Sequence, residues 1–210
     1  MRTILFASAI VGALFTSHTP AAAQGSARPS PAFTAADVAF MQGMIQHHAQ
    51  AVMMSAFAPT HGASAAIRSL AERIDVSQRD EIGLMQRWLA DRHQSAPDPL
   101  AARGAHGMNG MPGMPTMSGM ADSTMPKLMP GMLTPAQMKQ LDAARGAEFD
   151  RLFLTFMIQH HRGALTMVDD LFAVPGAGQE NQVFRFASDV TADQTAEIGR
   201  MEKMLGALGR

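Results

Sequence analysis

Residues 37–54 read DVAFMQGMIQHHAQAVMM, and residues 150–167 read DRLFLTFMIQHHRGALTM. Nine of the eighteen aligned positions are identical, among them Asp37/Asp150, Phe40/Phe153 and the whole MIQHH block. A second pair follows. Residues 67–89 align with 183–205 and share Ala71/Ala187, Gln78/Gln194, Glu81/Glu197, Ile82/Ile198, Gly83/Gly199 and Met85/Met201. The first pair is offset by 113 residues and the second by 116, so a two-element unit has been duplicated with loops of slightly different length. One such pair cannot bury its own apolar face, whereas two can pack together.

All four elements carry a helical period. Phe40, Met41, Met44, His48, Ala51 and Val52 fall on one face, as do Ile67, Leu70, Ala71, Ile74, Met85, Trp88 and Leu89. Thr34 with Asp37 suits a capped helix start, and Thr134-Pro135-Ala136-Gln137 is a capping box with proline at the first helical position. Pro59 and Pro175-Gly176 are stop signals. The spacing predicts helices near 34–58, 63–92, 134–173 and 180–207, and no strand. The expected fold is all-α: a four-helix bundle of two duplicated hairpins, 34–92 and 134–210, forming one domain.

Residues 93–133 read as a linker. Its centre, HGMNGMPGMPTMSGMADSTMPKLMPGM from His106 to Met132, holds eight of the chain's 19 methionines, too many for a segment whose Gly and Pro forbid a regular helix. At the N-terminus, Arg2, the apolar run 4–15 and Ala21-Ala22-Ala23 have the pattern of a signal peptide over 1–23. Residues 24–33 then read as a flexible lead-in. The expectation is a periplasmic or otherwise exported chain without stable membrane insertion. Absence of cysteine excludes disulfides, thiolate metal sites and cysteine nucleophiles, and it suits an oxidising compartment. A net charge of −1 leaves no basic footprint for nucleic acid.

Helical angles place Asp37, His48, Asp150 and His161 on the core side, with His47 and His160 towards an edge of that face. Gln78, Glu81, Gln194 and Glu197 lie inside the apolar arcs of the second and fourth helices. Buried polar groups are costly unless paired or metal-bound. Two uses compete: hydrogen bonds that fix helix register, or metal ligation. For Gln78, Glu81 and their repeats the structural or supporting role is preferred. His47 stands in a stripe with Met44 and Met54, and His160 with Met157 and Met167. Imidazole and thioether together suit copper, because soft thioether favours Cu(I) while imidazole serves both oxidation states. Ag(I) would bind for the same reason. The candidate ligands are therefore His47, His48, His160, His161, Met44, Met54, Met157 and Met167 on helices. In the linker they are Met108, Met111, Met114, Met117 and Met120, five methionines spaced every third residue.

These motifs resemble the domain-of-unknown-function 305 family. The matching pieces are Asp37-x-x-Phe40-x-x-x-Met44-Ile45-x-His47-His48 and Gln78-x-x-Glu81-Ile82-x-x-Met85. They recur as Phe149-Asp150-Arg151-x-Phe153-Leu154-x-x-Met157-Ile158-x-His160-His161-x-Gly163-Ala164 and Gln194-x-x-Glu197-Ile198-x-x-Met201. The resemblance implies a ferritin-like, exported helical protein, with copper binding and copper tolerance in some members and no enzymatic reaction. The expected function is a copper-binding protein that sequesters Cu(I) or passes it on, with other exported copper-handling proteins as partners. Two alternatives stand beside it: a metal-free helical interaction module, and a ferritin-like di-metal oxidase. The second would use a Glu-x-x-His pair, which the chain does not contain.

Overall fold

A computed structural model describes residues 32–99 and 128–209. Five helices follow in order: α1 Ala35–Ser55, α2 Ala65–Asp91, α3 Pro135–Ala143, α4 Gly146–Ala173 and α5 Asn181–Leu208; no strand occurs among the described residues. The signal-peptide stretch and the linker centre with Met108, Met111, Met114, Met117 and Met120 lie outside the described residues.

The caps stand where the sequence places them. Thr34 and Asp37 close a capping box on α1, and Thr134 and Gln137 close another on α3 with Pro135 in its first turn. Ser64 and Glu180 cap α2 and α5. The expected third helix, 134–173, is instead broken. Ala144 and Arg145 are extended and Gly146 sits at φ +58°, a left-handed conformation that suits glycine. The break is pinned from the other hairpin: the Gly146 N–H donates to the His61 carbonyl (2.9 Å). The His61 Nε2 in turn reaches the Asp142 carbonyl at 2.9 Å. A tertiary latch therefore overrides a helical period that runs on through the sequence.

The pairs α1–α2 and α4–α5 are antiparallel hairpins, and α1 packs on α4. Two buried aspartates lock the halves together reciprocally. Asp37 Oδ1 accepts from the Gly178 N–H (2.6 Å), in the turn before α5. Asp150 accepts from the Ser64 N–H (3.1 Å), in the turn before α2. Each aspartate thus holds the other half's interhelical turn, which sets α1 and α4 antiparallel about a pseudo-twofold axis. Replacing Asp37 with alanine removes this latch and the return bond of the capping box from the Thr34 N–H, while the Thr34 hydroxyl still accepts from the residue 37 N–H. The expected cost is about 2–4 kcal/mol, the sum of one lost hydrogen bond and an orphaned buried donor, read as a lower urea midpoint. A cost near that of one hydrogen bond alone, about 1 kcal/mol, would show that the latch contributes nothing.

Apolar packing forms two clusters. One gathers Met54, Ile67, Leu70, Ile74, Phe149, Phe153 and Met157. The other gathers Phe40, Met44, Ile45, Met85, Trp88, Val168 and Val183. Along both α1 and α4 the paired histidines fall between them.

The end of the stretch read as a linker over 93–133 is packed into the fold. Leu133 is fully buried, and its N–H and C=O are both gripped by the Gln50 amide (2.7 and 3.0 Å). Residues 128–134 thus form a strap across the α1–α4 seam. At Gly131, φ +73°, the strap comes so close to Gly163 of α4 that a Cβ on Gly163 would stand 2.0 Å from the Pro130 carbonyl oxygen. Because the clash is with backbone, it cannot be relieved by a side-chain rotation. Gly163→Ala is expected to lift the strap and lower stability by about 1–3 kcal/mol, the usual range for overpacking, although alanine is the better helix former. A stabilised variant would mean that the strap is not seated on α4.

Candidate metal centre

His47, His48, His160 and His161 are all buried, three of them with no exposed surface and His160 at 1%. The sequence puts His47 and His160 at the edge of the helix face. In the structure that edge is the α1–α4 seam, so both rings lie at the centre of the bundle. They approach face to face with ring centroids 3.9 Å apart, tilted by 35°. His48 and His161 flank them, at centroid distances of 6.5 and 6.3 Å from their neighbours in sequence.

The outer pair is held by carboxylates from the hairpin partners. His48 Nε2 lies 2.5 Å from Glu81 Oε2, and His161 Nε2 lies 2.6 Å from Glu197 Oε2. An ionised carboxylate only accepts, so Nε2–H donates. Glu81 and Glu197 thus make hydrogen bonds of the kind expected of a structural or supporting role. They also fix the two outer rings as carboxylate partners often fix histidines at metal sites, with one nitrogen tied and the other left free. Nδ1 of His47, His48, His160 and His161 is buried without a hydrogen bond, as are Nε2 of His160 and the side-chain oxygens of Gln78 and Gln194. Buried polar atoms are rarely left so, and the adjacency of the four histidine rings makes this the strongest candidate site.

The two inner rings are neutral. Burial, then the charge of His48, pushes the His47 pKa down to about 3, against a smaller upward pull from its hydrogen bond to Pro130. Burial likewise sets His160 well below the ordinary value, followed by the charges of His47, His161 and His48. Neutral imidazole is the form that ligates metal.

The thioethers follow the pseudo-twofold. Met44 and Met167 belong with the cluster on one side of the histidines, and Met54 and Met157 with that on the other. Met44, Met54 and Met157 are fully buried, and Met167 is half-buried. Among the described residues no three His, Asp or Glu side chains converge at metal-ligand spacing. A metal drawing on this centre would take few imidazoles and add thioether sulfur, a donor set suited to a soft ion.

One residue beside the centre was not singled out from the sequence. Met129 precedes Pro130, whose carbonyl accepts from His47 Nε2 at 2.9 Å. Its sulfur lies over Gly43, one helical turn from His47. No periodicity marks it, because it sits in the strap. The signal available was that the repeats diverge here: Gly43 is aligned with Phe156.

No helix among the described residues is long and apolar enough to cross a membrane. No curated protein sequence matches the chain. Solved structures do. A DUF305 protein of Streptomyces coelicolor is 27% identical with TM-score 0.62, the alignment covering 83% of this chain and 94% of that one. A DUF305 fragment of Deinococcus radiodurans is 29% identical with TM-score 0.64, covering 84% and 99%. CopM in its Cu(II)-bound form shares the fold at 24% identity and TM-score 0.57, covering 81% and 96%. The model of the family described as Domain of unknown function (DUF305) matches residues 37–205, and the chain belongs to that family.

Proposed function

We propose that this is an exported copper-binding protein that takes Cu(I) between its two halves and either sequesters it or hands it on, contributing to copper tolerance. One observation carries the reading: the buried rings of His47 and His160 meet between the two halves, each with an unpartnered Nδ1, flanked by His48 and His161 and with buried methionines in the apolar clusters on either side. His47, His48, His160 and His161 with Met44, Met54, Met157 and Met167 supply the ligands of this centre. Met108, Met111, Met114, Met117 and Met120 supply an exchangeable reservoir. CopM, which shares only the fold at this level of identity, has been solved in Cu(I)-bound and Cu(II)-bound forms. Export rests on the N-terminal pattern, and the Streptomyces coelicolor relative is also assigned as secreted. The reading includes no turnover. The protein binds and releases an ion, with other exported copper-handling proteins as donors or acceptors.

The test is an anaerobic Cu(I) titration against a chromophoric competitor, repeated with Cu(II) and Zn(II). Tight Cu(I) binding with weaker Zn(II) binding supports the proposal. The His48–Glu81 and His161–Glu197 bonds favour a second reading, in which the histidines only fix helix register; absence of stoichiometric copper would select it. In the same assay, converting Met108, Met111, Met114, Met117 and Met120 to leucine should lower the Cu(I) bound per chain while leaving helicity unchanged. Equal capacity before and after would reduce that segment to a spacer.

A further inference from the structure

Both described ends of the methionine-rich segment return to one place on α1. On the outgoing side, Gln42 Nε2 donates to the Ser95 carbonyl at 2.7 Å. Residues 95–97 there share a cavity of about 250 Å³ with Gln42, Gly43 and Gln46. On the returning side, Met129 lays its sulfur over Gly43. A Cβ at position 43 would lie 3.3 Å from Met129 Sδ and 3.4 Å from Met167 Cε, so the bare glycine lets the side chains of two methionines from separate segments close on the same point of α1. Met129 and Met167 are both half-buried, unlike the sealed Met44, Met54 and Met157. Next in the chain from Met129, the Pro130 carbonyl holds His47. The aligned position on α4 is Phe156, a buried member of the first apolar cluster, so a bare backbone at this point belongs to one half of the duplicated fold.

We propose that Met129 and Met167, across the bare backbone of Gly43, form a solvent-facing two-thioether capture site for Cu(I), placed to feed the histidine centre behind the strap. It rests on the reading of the protein as a Cu(I) binder and adds where the ion is first taken. Thioethers suit this task, since they are soft and carry no proton to displace at ordinary pH. The ion moves on as Cu(I), with no electron transferred. No proton need leave either, because a neutral imidazole already presents one lone-pair nitrogen.

The experiment uses the full chain labelled with carbon-13 at the methionine methyls, titrated with Ag(I) as a diamagnetic probe for Cu(I). Resonances are assigned through Met129→Leu and Met167→Leu, each close to volume-conserving. The expected result is that the Met129 and Met167 methyls shift together. Met129→Leu should abolish the Met167 shift at the same Ag(I) level and weaken binding at this site at least tenfold. A Met167 shift that survives Met129→Leu overturns the proposal. So does silence of both methyls while histidine ring resonances move, and in that case copper binding at the centre stands. If neither thioethers nor rings respond, both readings fall.

Discussion

Replacing His160 with phenylalanine is expected to weaken Cu(I) binding at the bundle centre by two orders of magnitude or more, and replacing His47 should do the same. The doubly substituted chain should be little worse than either single variant. The reason is geometric. A duplicated sequence suggests one site per half, in which case each substitution would remove half the bound metal and the two losses would add. The structure instead brings His47 and His160 to a 3.9 Å ring contact on the pseudo-twofold axis. One centre is then shared, and the two residues act as a unit whose losses do not add. The magnitude follows from chemistry. Groups that merely orient a ligand are worth about 10–100-fold in metal affinity, and losing a ligand costs at least as much. Phenylalanine keeps a planar ring and brings no polar atom that burial would leave without a partner, so the fold should survive. The measurement is bound Cu(I) under a fixed competitor for the wild type, both single variants and the double variant. Half-stoichiometric loss in each single variant would place one independent site in each half.

The duplication, the two hairpins and the inward aspect of Asp37, His48, Gln78 and Glu81 are legible in the sequence, because each depends on a helix facing its own hairpin partner. Periodicity reports that face well. It does not report which flank of the hairpin meets the other hairpin, and this is why His47 and His160 read as edge residues. The strap is hidden for a related reason. It is held by backbone groups of Pro130, Gly131 and Leu133, and by Gln50 and Gly163 on the helices. None of these adds to an apolar period. A trace is present all the same, since Gln50 and Gly163 are aligned between the repeats: one half grips the strap with an amide where the other yields to it with a bare backbone. The break before α4 has no such trace, because the His61 carbonyl that receives the Gly146 N–H comes from the turn after α1. In a duplicated chain the identical positions build the frame. Positions where the copies part, such as Gly43 and Phe156, mark what one half does alone.

Acidification should separate stability from metal binding. The folded chain holds His47 neutral, with its pKa pushed down to about 3, chiefly by burial, whereas the unfolded chain takes up a proton near 6.5. Between those values the unfolded state binds more protons, so stability falls as pH falls, and above about pH 7 the effect is absent. At pH 5, one and a half pH units below the ordinary value, His47 alone should cost about 2 kcal/mol at roughly 1.4 kcal/mol per unit. His160 adds in the same direction, its pKa being lowered for the same reason. Asp193 works the other way at the acid end, because burial and then the charge of Glu81 raise its pKa in the folded chain. Urea midpoints should therefore drop between pH 7 and pH 5, and the His47→Phe/His160→Phe chain should show a flatter profile. An equal slope in both proteins would mean that the rings are not buried neutral. Cu(I) affinity should respond differently. An exposed imidazole ligand is mostly protonated at pH 5 and loses about thirtyfold of its binding capacity there. His47, with its pKa pushed down to about 3, is neutral at pH 5, and burial lowers the His160 pKa as well, so a centre built on them should hold Cu(I) nearly as well at pH 5 as at pH 7, provided the chain stays folded. Since bound metal itself stabilises the folded chain by mass action, copper should restore most of the stability that acid removes, and the restoration should vanish in the double phenylalanine variant.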